Sequence, residues 1–100
     1  MTLPVYLDYA ASTPVAPEVI DAMTFALRSP GLVGNPAAGT HVPGQLAAAA
    51  VAAARAEVAA LIHAAPEEIV FTSGATEADN LAIIGGARFR QGDGRHLVTA

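Results

Sequence analysis

The part of this 100-residue chain richest in chemical potential is Ile69–Ile83, which reads IVFTSGATEADNLAI. An apolar, β-branched run feeds a turn of small residues, Ser73-Gly74-Ala75-Thr76, and the turn opens a helix. The first backbone N–H groups of a helix lack intrahelical acceptors and the helix dipole is positive there, so such a turn can bind an anion. Gly74 lets a ligand approach the backbone, and Ser73 and Thr76 add hydroxyl donors, a set suited to a phosphate group. The simpler alternative is a capped helix, with Thr76 and Asp79 arranged as a capping box, and the residues alone favour it. The turn lacks the glycine spacing of a dinucleotide fingerprint and the lysine of a Walker A loop. Nor does Ser73 stand in G-x-S-x-G, so no nucleophile elbow is indicated.

Other chemistries are excluded by composition. The chain has no lysine and no cysteine, so it offers neither a lysine side chain for a covalent pyridoxal link nor a thiolate nucleophile, disulfide or thiolate metal site. His41, His63 and His96 show no ligand spacing, and no metal site is expected. His63 fits a helix C-terminus, His96 opens a strand, and His41 falls in a long loop with a surface role. Asp8, between Tyr6 and Tyr9, has the setting of a buried hydrogen-bonding carboxylate, whereas Glu67-Glu68 reads as a solvated pair. Five arginines against nine carboxylates give a net charge of −4, with no basic stripe and few aromatics, so neither nucleic acid nor membrane is an expected partner. The start has no signal-peptide pattern, and the alanine-rich run from Leu46 to Ala65 is weakly apolar and interrupted by Arg55, Glu57 and His63. A cytoplasmic location follows as the default.

The elements that must position these residues can be read in order. Residues 1–15 are extended or irregular, with Pro4 and Pro14 restricting their neighbours. A first helix is expected over Pro17–Arg28, with Pro17 in its first turn and Arg28 at its C-terminal end. Val19, Ile20, Met23, Ala26 and Leu27 form its apolar face. Residues 29–44 hold four glycines and three prolines, a long loop of the kind that carries function. An alanine-rich helix is expected over Gln45–His63. Then Glu68–Thr72 reads as a buried strand, Thr76–Arg90 as a third helix, and His96–Thr99 as the start of a second strand. Gly85-Gly86 inside that helix suggests close contact with a sheet. Strand, helix, strand at this spacing is a βαβ unit of a parallel sheet, and two strands do not complete one. The chain is therefore expected to be the N-terminal portion of a larger α/β protein.

Three motifs, in this order and spacing, carry a family resemblance: YLDYAASTP at Tyr6–Pro14, GNPAAGTH at Gly34–His41 with Gly44 after it, and IVFTSGATEADNLAI at Ile69–Ile83. Together they resemble the N-terminal part of the cysteine desulfurases of the NifS/IscS type, pyridoxal 5'-phosphate enzymes of the class V aminotransferase group. The resemblance covers essentially the whole chain and well under half of a family member. It implies an α/β fold type I transferase in which residues 1–44 supply an arm, the first helix and an active-site loop, 45–63 the alanine-rich helix, and 68–100 the βαβ unit with a phosphate turn. In that pattern Gly74, Ala75 and Thr76 hold the cofactor phosphate, and Ala11, Thr13, Asn35 and His41 border the active site. Ser12 stands where threonine is common and Ala38 where serine is common, which removes any hydroxyl contact at Ala38.

The implied reaction converts L-cysteine to L-alanine and carries the sulfur as a persulfide to sulfur-acceptor or scaffold proteins, for iron–sulfur cluster assembly or thio-modification. The Schiff-base lysine, the persulfide cysteine and a histidine stacking on the cofactor ring belong to later parts of the pattern, so this segment holds no catalytic residue and is expected to be inactive alone. A homodimer is expected of the full-length protein. The alternatives are another class V enzyme, such as a selenocysteine lyase or an aminotransferase, or a non-catalytic phosphate-binding α/β module.

Overall fold

The computed structural model of the chain describes residues 4–99. The arm and the βαβ unit were expected to include residues 1–3 and 100, which lie outside the described residues. Three helices follow in order, α1 (Pro17–Arg28), α2 (Val42–Leu61) and α3 (Ala75–Phe89). Short 3-10 turns at Pro30–Leu32 and Pro66–Glu68 precede α2 and α3 respectively.

Helix α1 occupies the expected residues. Pro17 supplies a preset φ at its start, and Ser29 closes its end through bonds from both its N–H and its hydroxyl to the Phe25 carbonyl, at 3.0 and 2.7 Å. Its apolar stripe does not form a core: Val19, Ile20 and Met23 are each about half exposed and the helix buries no residue.

Helix α2 starts three residues earlier than expected, because Pro43 serves as a first-turn residue and His41 as the cap. At its other end His63 takes a left-handed conformation, φ 56°. The N–H of Ala64 bonds to the Ala59 carbonyl at 2.9 Å and that of His63 to Ala60 at 3.4 Å. These are the two bonds of a Schellman stop, with histidine in the place usually taken by glycine. Ala59, opposite Ala64, is 1% exposed, so the cap encloses the most buried side chain described.

Packing between elements centres on α2, which rests against both short turns. Ala47 and Ala59 are the only buried apolar residues among those described. By length and composition alone α2 could cross a membrane. Its contacts among the described residues are with the two short turns, and Arg55, half-buried midway, engages the segment beyond the second.

The expected βαβ unit is not confirmed: among the described residues there is no strand, and the elements are helical. Glu68 belongs to a 3-10 turn, Ile69–Thr72 is extended but unpaired, and the segment from Arg95 to Thr99 joins no ladder. A parallel strand exists only through hydrogen bonds to a neighbour, and the two candidate strands do not lie side by side here to supply them. Gly85 and Gly86, expected to touch a sheet, face open space; an added Cβ would meet nothing within 4 Å. Asp8 is exposed, and it is its backbone carbonyl that accepts bonds, from Tyr6 Oη at 2.8 Å and Ala11 N at 3.1 Å. Glu68 is more than a solvated neighbour, since its carboxylate accepts the Ala65 N–H at 2.8 Å.

The consequence is an open molecule. Its radius of gyration is 18.8 Å, against about 13 Å for a compact domain of this length. It exposes 8766 Å², against about 5,300 Å² for a folded chain of its mass.

Two measurements check these points. Circular dichroism of the isolated chain is expected to show helix that melts over a broad range, and a sharp cooperative transition would contradict the open fold. In the full-length protein, Gly44→Ala is expected to lower the melting temperature, because its Cβ would lie 1.9 Å from the Ala38 carbonyl oxygen. The cost is about 1–3 kcal/mol. Gly39→Ala, in open space, is the neutral control.

Candidate functional site

The sequence-predicted site residues fall in three places. Gly74, Ala75 and Thr76 form the start of α3, Asn35 and His41 lie in the loop before α2, and Ala11 and Thr13 lie in the arm. The hydrogen bonds of each group are local to it.

At the start of α3, Gly74 is the N-cap residue, in extended backbone with φ 162°. The first helical bond runs from the Ala78 N–H to the Gly74 carbonyl at 3.1 Å. The N–H groups of Ala75, Thr76 and Glu77 therefore precede the hydrogen-bond ladder, and they share an exposed turn. An added Cβ at Gly74 would meet nothing within 4 Å, so the turn is open on that side. The Thr76 hydroxyl sits beside them. The capping box expected between Thr76 and Asp79 does not form, because the helix begins at Ala75 and Thr76 is already inside it. Asn80 Nδ2 instead donates to the Thr76 carbonyl at 2.8 Å.

Ser73 and Glu77 add something the sequence did not single out. Glu77 Oε2 accepts the Ser73 N–H at 2.7 Å and the Ser73 hydroxyl at 2.5 Å. These bonds, the hydroxyl one first, hold the Glu77 carboxyl below its ordinary pKa, against a small opposing desolvation. The i,i+4 spacing of Ser73 and Glu77 was the available signal.

The support beneath the turn comes from α2. An Arg55 guanidinium N–H donates to the Ile69 carbonyl, and the same guanidinium lies over the Phe71 ring, 5.0 Å from its centroid. Arg55 read only as a charge interrupting an alanine run, and nothing in its spacing to Ile69 or Phe71 marked it as an anchor. Thr72, half-buried, donates its hydroxyl to the Gly74 carbonyl at 3.1 Å and ties the extended segment to the turn.

The loop before α2 is built by backbone crossing. An added Cβ on Gly34 would lie 2.3 Å from the Pro43 carbonyl carbon, and one on Gly44 would strike Ala38. Asn35 Oδ1 accepts the Ala37 N–H at 2.9 Å, the Ala38 N–H bonds to the Asn35 carbonyl at 2.9 Å, and Gln45 Nε2 donates to the Gly39 carbonyl at 3.0 Å. His41 Nδ1 accepts the Gly44 N–H at 3.0 Å, so His41 is the cap of α2 and its Nε2 carries the ring proton. In the arm, Tyr6 and Tyr9 meet edge to face at 5.3 Å, and the Tyr6 hydroxyl pairs with Ser12 Oγ at 3.1 Å. Ala11 closes the turn from Asp8, and Thr13 follows it outside any helix or turn, exposed.

A separate apolar groove runs between the end of α3 and the following segment, lined by Ile83, Ala87, Leu97 and Val98, and it does not include the turn.

Comparison with known proteins agrees with the motifs. Over all 100 residues the chain is 55% identical to a cysteine desulfurase IscS of Shewanella woodyi and 54% identical to a cysteine desulfurase IscS of Pseudomonas aeruginosa. It spans 25% of the length of these curated relatives. No solved structure matches it. The sequence pattern of the family described as aminotransferase class-V matches residues 5–100. With that match covering nearly its whole length, the chain belongs to the class V aminotransferase family.

Proposed function

We propose that the full-length protein is a pyridoxal 5'-phosphate-dependent cysteine desulfurase, and that residues 1–100 form the N-terminal segment of its α/β, fold type I catalytic domain. The observation that carries this is 55% identity, over every residue of the chain, to a bacterial protein of that name. On this reading L-cysteine becomes L-alanine and the sulfur leaves as a persulfide for acceptor or scaffold proteins, in a cytoplasmic homodimer.

The residues present fit the phosphate end of the cofactor. Ala75 and Thr76 offer backbone N–H groups ahead of the helical ladder, Thr76 adds a hydroxyl, and the space beside Gly74 is open. The positive end of α3 favours a dianion there by about 0.3–1 kcal/mol for an exposed group. The cofactor, when bound, supplies the electron sink that lets bonds at the substrate α-carbon and β-carbon be broken. The task of this segment is to anchor and orient: Gly74, Ala75 and Thr76 grip the phosphate, while Arg55 and Thr72 hold the backbone that leads into the grip. Ala11, Thr13, Asn35 and His41 are assigned to the border of the same site. For Asn35 and His41 the side-chain atoms Oδ1 and Nδ1 are committed to shaping the loop. The covalent functions need a lysine and a cysteine, and this segment contains neither.

In the full-length protein, Thr76→Ala is expected to weaken cofactor binding by about 1–3 kcal/mol, the worth of one hydrogen bond to a charged acceptor. Equilibrium titration of the apoprotein measures it, and unchanged affinity would remove Thr76 from the phosphate site. Mixed with pyridoxal 5'-phosphate, the isolated chain is expected to give no absorbance of a lysine-linked cofactor. A stable band that survives blocking of the N-terminal amine would contradict the division of labour between this segment and the rest.

A further inference from the structure

We propose that Glu77 is a positioning residue of the phosphate turn: its carboxylate takes both donors of Ser73, so that Ser73 shapes the turn without touching the phosphate and the N–H groups of Ala75 and Thr76 receive it. The inference rests on the phosphate role proposed above for this turn.

One carboxylate oxygen, Glu77 Oε2, holds two donors of a single residue, at 2.7 Å from Ser73 N and 2.5 Å from Ser73 Oγ. Hydrogen bonds to an ionised acceptor at such lengths are the strong class. Accepting both at once fixes the backbone and the side chain of Ser73 against the first turn of α3. The bonds also depress the Glu77 pKa, so the group is an acceptor-only carboxylate at neutral pH.

The other bonds around the turn point the same way. The Gly74 carbonyl is held by the Thr72 hydroxyl and the Ala78 N–H, each at 3.1 Å. The Thr76 carbonyl is held by Asn80 Nδ2 at 2.8 Å. The Gly74 carbonyl shares its peptide plane with the Ala75 N–H, so securing it sets the aim of that donor, and the Thr76 carbonyl does the same for the Glu77 N–H on the far side of the Thr76 donor. The Ser73 hydroxyl, which the sequence offered as a phosphate donor, is already spent on Glu77. The negative charge of Glu77 also marks an edge of the anion site, since a phosphate advancing toward Ser73 would meet it.

The test is a double-mutant cycle on the full-length apoprotein, read as dissociation constants for pyridoxal 5'-phosphate and for pyridoxal, which lacks the phosphate. Ser73→Ala and Glu77→Ala are each expected to weaken pyridoxal 5'-phosphate binding about tenfold, the effect of loosening one charge-assisted bond pair. The double variant is expected to bind no worse than Glu77→Ala alone. Glu77→Gln, which keeps an acceptor oxygen, is expected to recover most of the loss, and pyridoxal binding is expected to stay level throughout. Multiplying losses in the double variant would show Ser73 contacting the phosphate independently and would overturn the proposal. So would a parallel fall in pyridoxal affinity, which marks a merely structural role, or tighter binding by Glu77→Ala, which marks simple repulsion. If the unaltered protein binds both compounds equally, the phosphate role of the turn fails first, and Glu77's role goes with it.

Discussion

The contact on which this arrangement depends is the one Arg55 makes across to the segment entering α3. A guanidinium has five donors and a flat face, and here both properties are used, on the Ile69 carbonyl and on the Phe71 ring. It joins the one helix with buried residues to the extended stretch that delivers Ser73 and Gly74. The Schellman stop at His63 and the Glu68 bond to the Ala65 N–H shorten the path between those two points. Without Arg55 the start of α3 would be joined to α2 only through the 3-10 turn at Pro66–Glu68, and the orientation of its first donors would follow that turn's fluctuations. A lysine could serve as a donor in its place, but it could not stack in the same way.

The two kinds of small-residue turn in the chain work by opposite means. Around Gly34 and Gly44 glycine is needed because backbone crosses backbone, and the loop is consequently specified from within. At Gly74 nothing is nearby, and what glycine provides is vacancy. The first is a packing requirement, and the second leaves the start of α3 open on that side. The glycines of this chain therefore do not have one common cause.

Much of this was legible in the sequence, for reasons that can be named. Helix α1 was, because Pro17 and Ser29-Pro30-Gly31 punctuate it at both ends. The turn at the head of α3 was, because an apolar run, small residues and a helix former follow each other within a few positions. The start of α2 was placed late, since Pro43 and Gly44 look like loop until His41 is seen to cap them. The strands were expected from β-branched and aromatic residues, from their spacing and from the family resemblance, and none of these supplies the neighbouring strand that pairing needs. The anchoring by Arg55 left no mark in the sequence, and the Ser73–Glu77 clasp left only its i,i+4 spacing. Each depends on where a side chain reaches, and Arg55 reaches residues 14 positions away.

The loop from Gly34 to Gln45 has a consequence in time as well as in space. Each of its hydrogen bonds, and both of its backbone crossings, involve residues no more than about a dozen positions apart. Chains emerge from the ribosome N-terminus first, and a unit of such short range can settle before any later strand exists. The border of the proposed site is thus a unit that can be moulded early, with later parts of the chain growing around a surface already in shape.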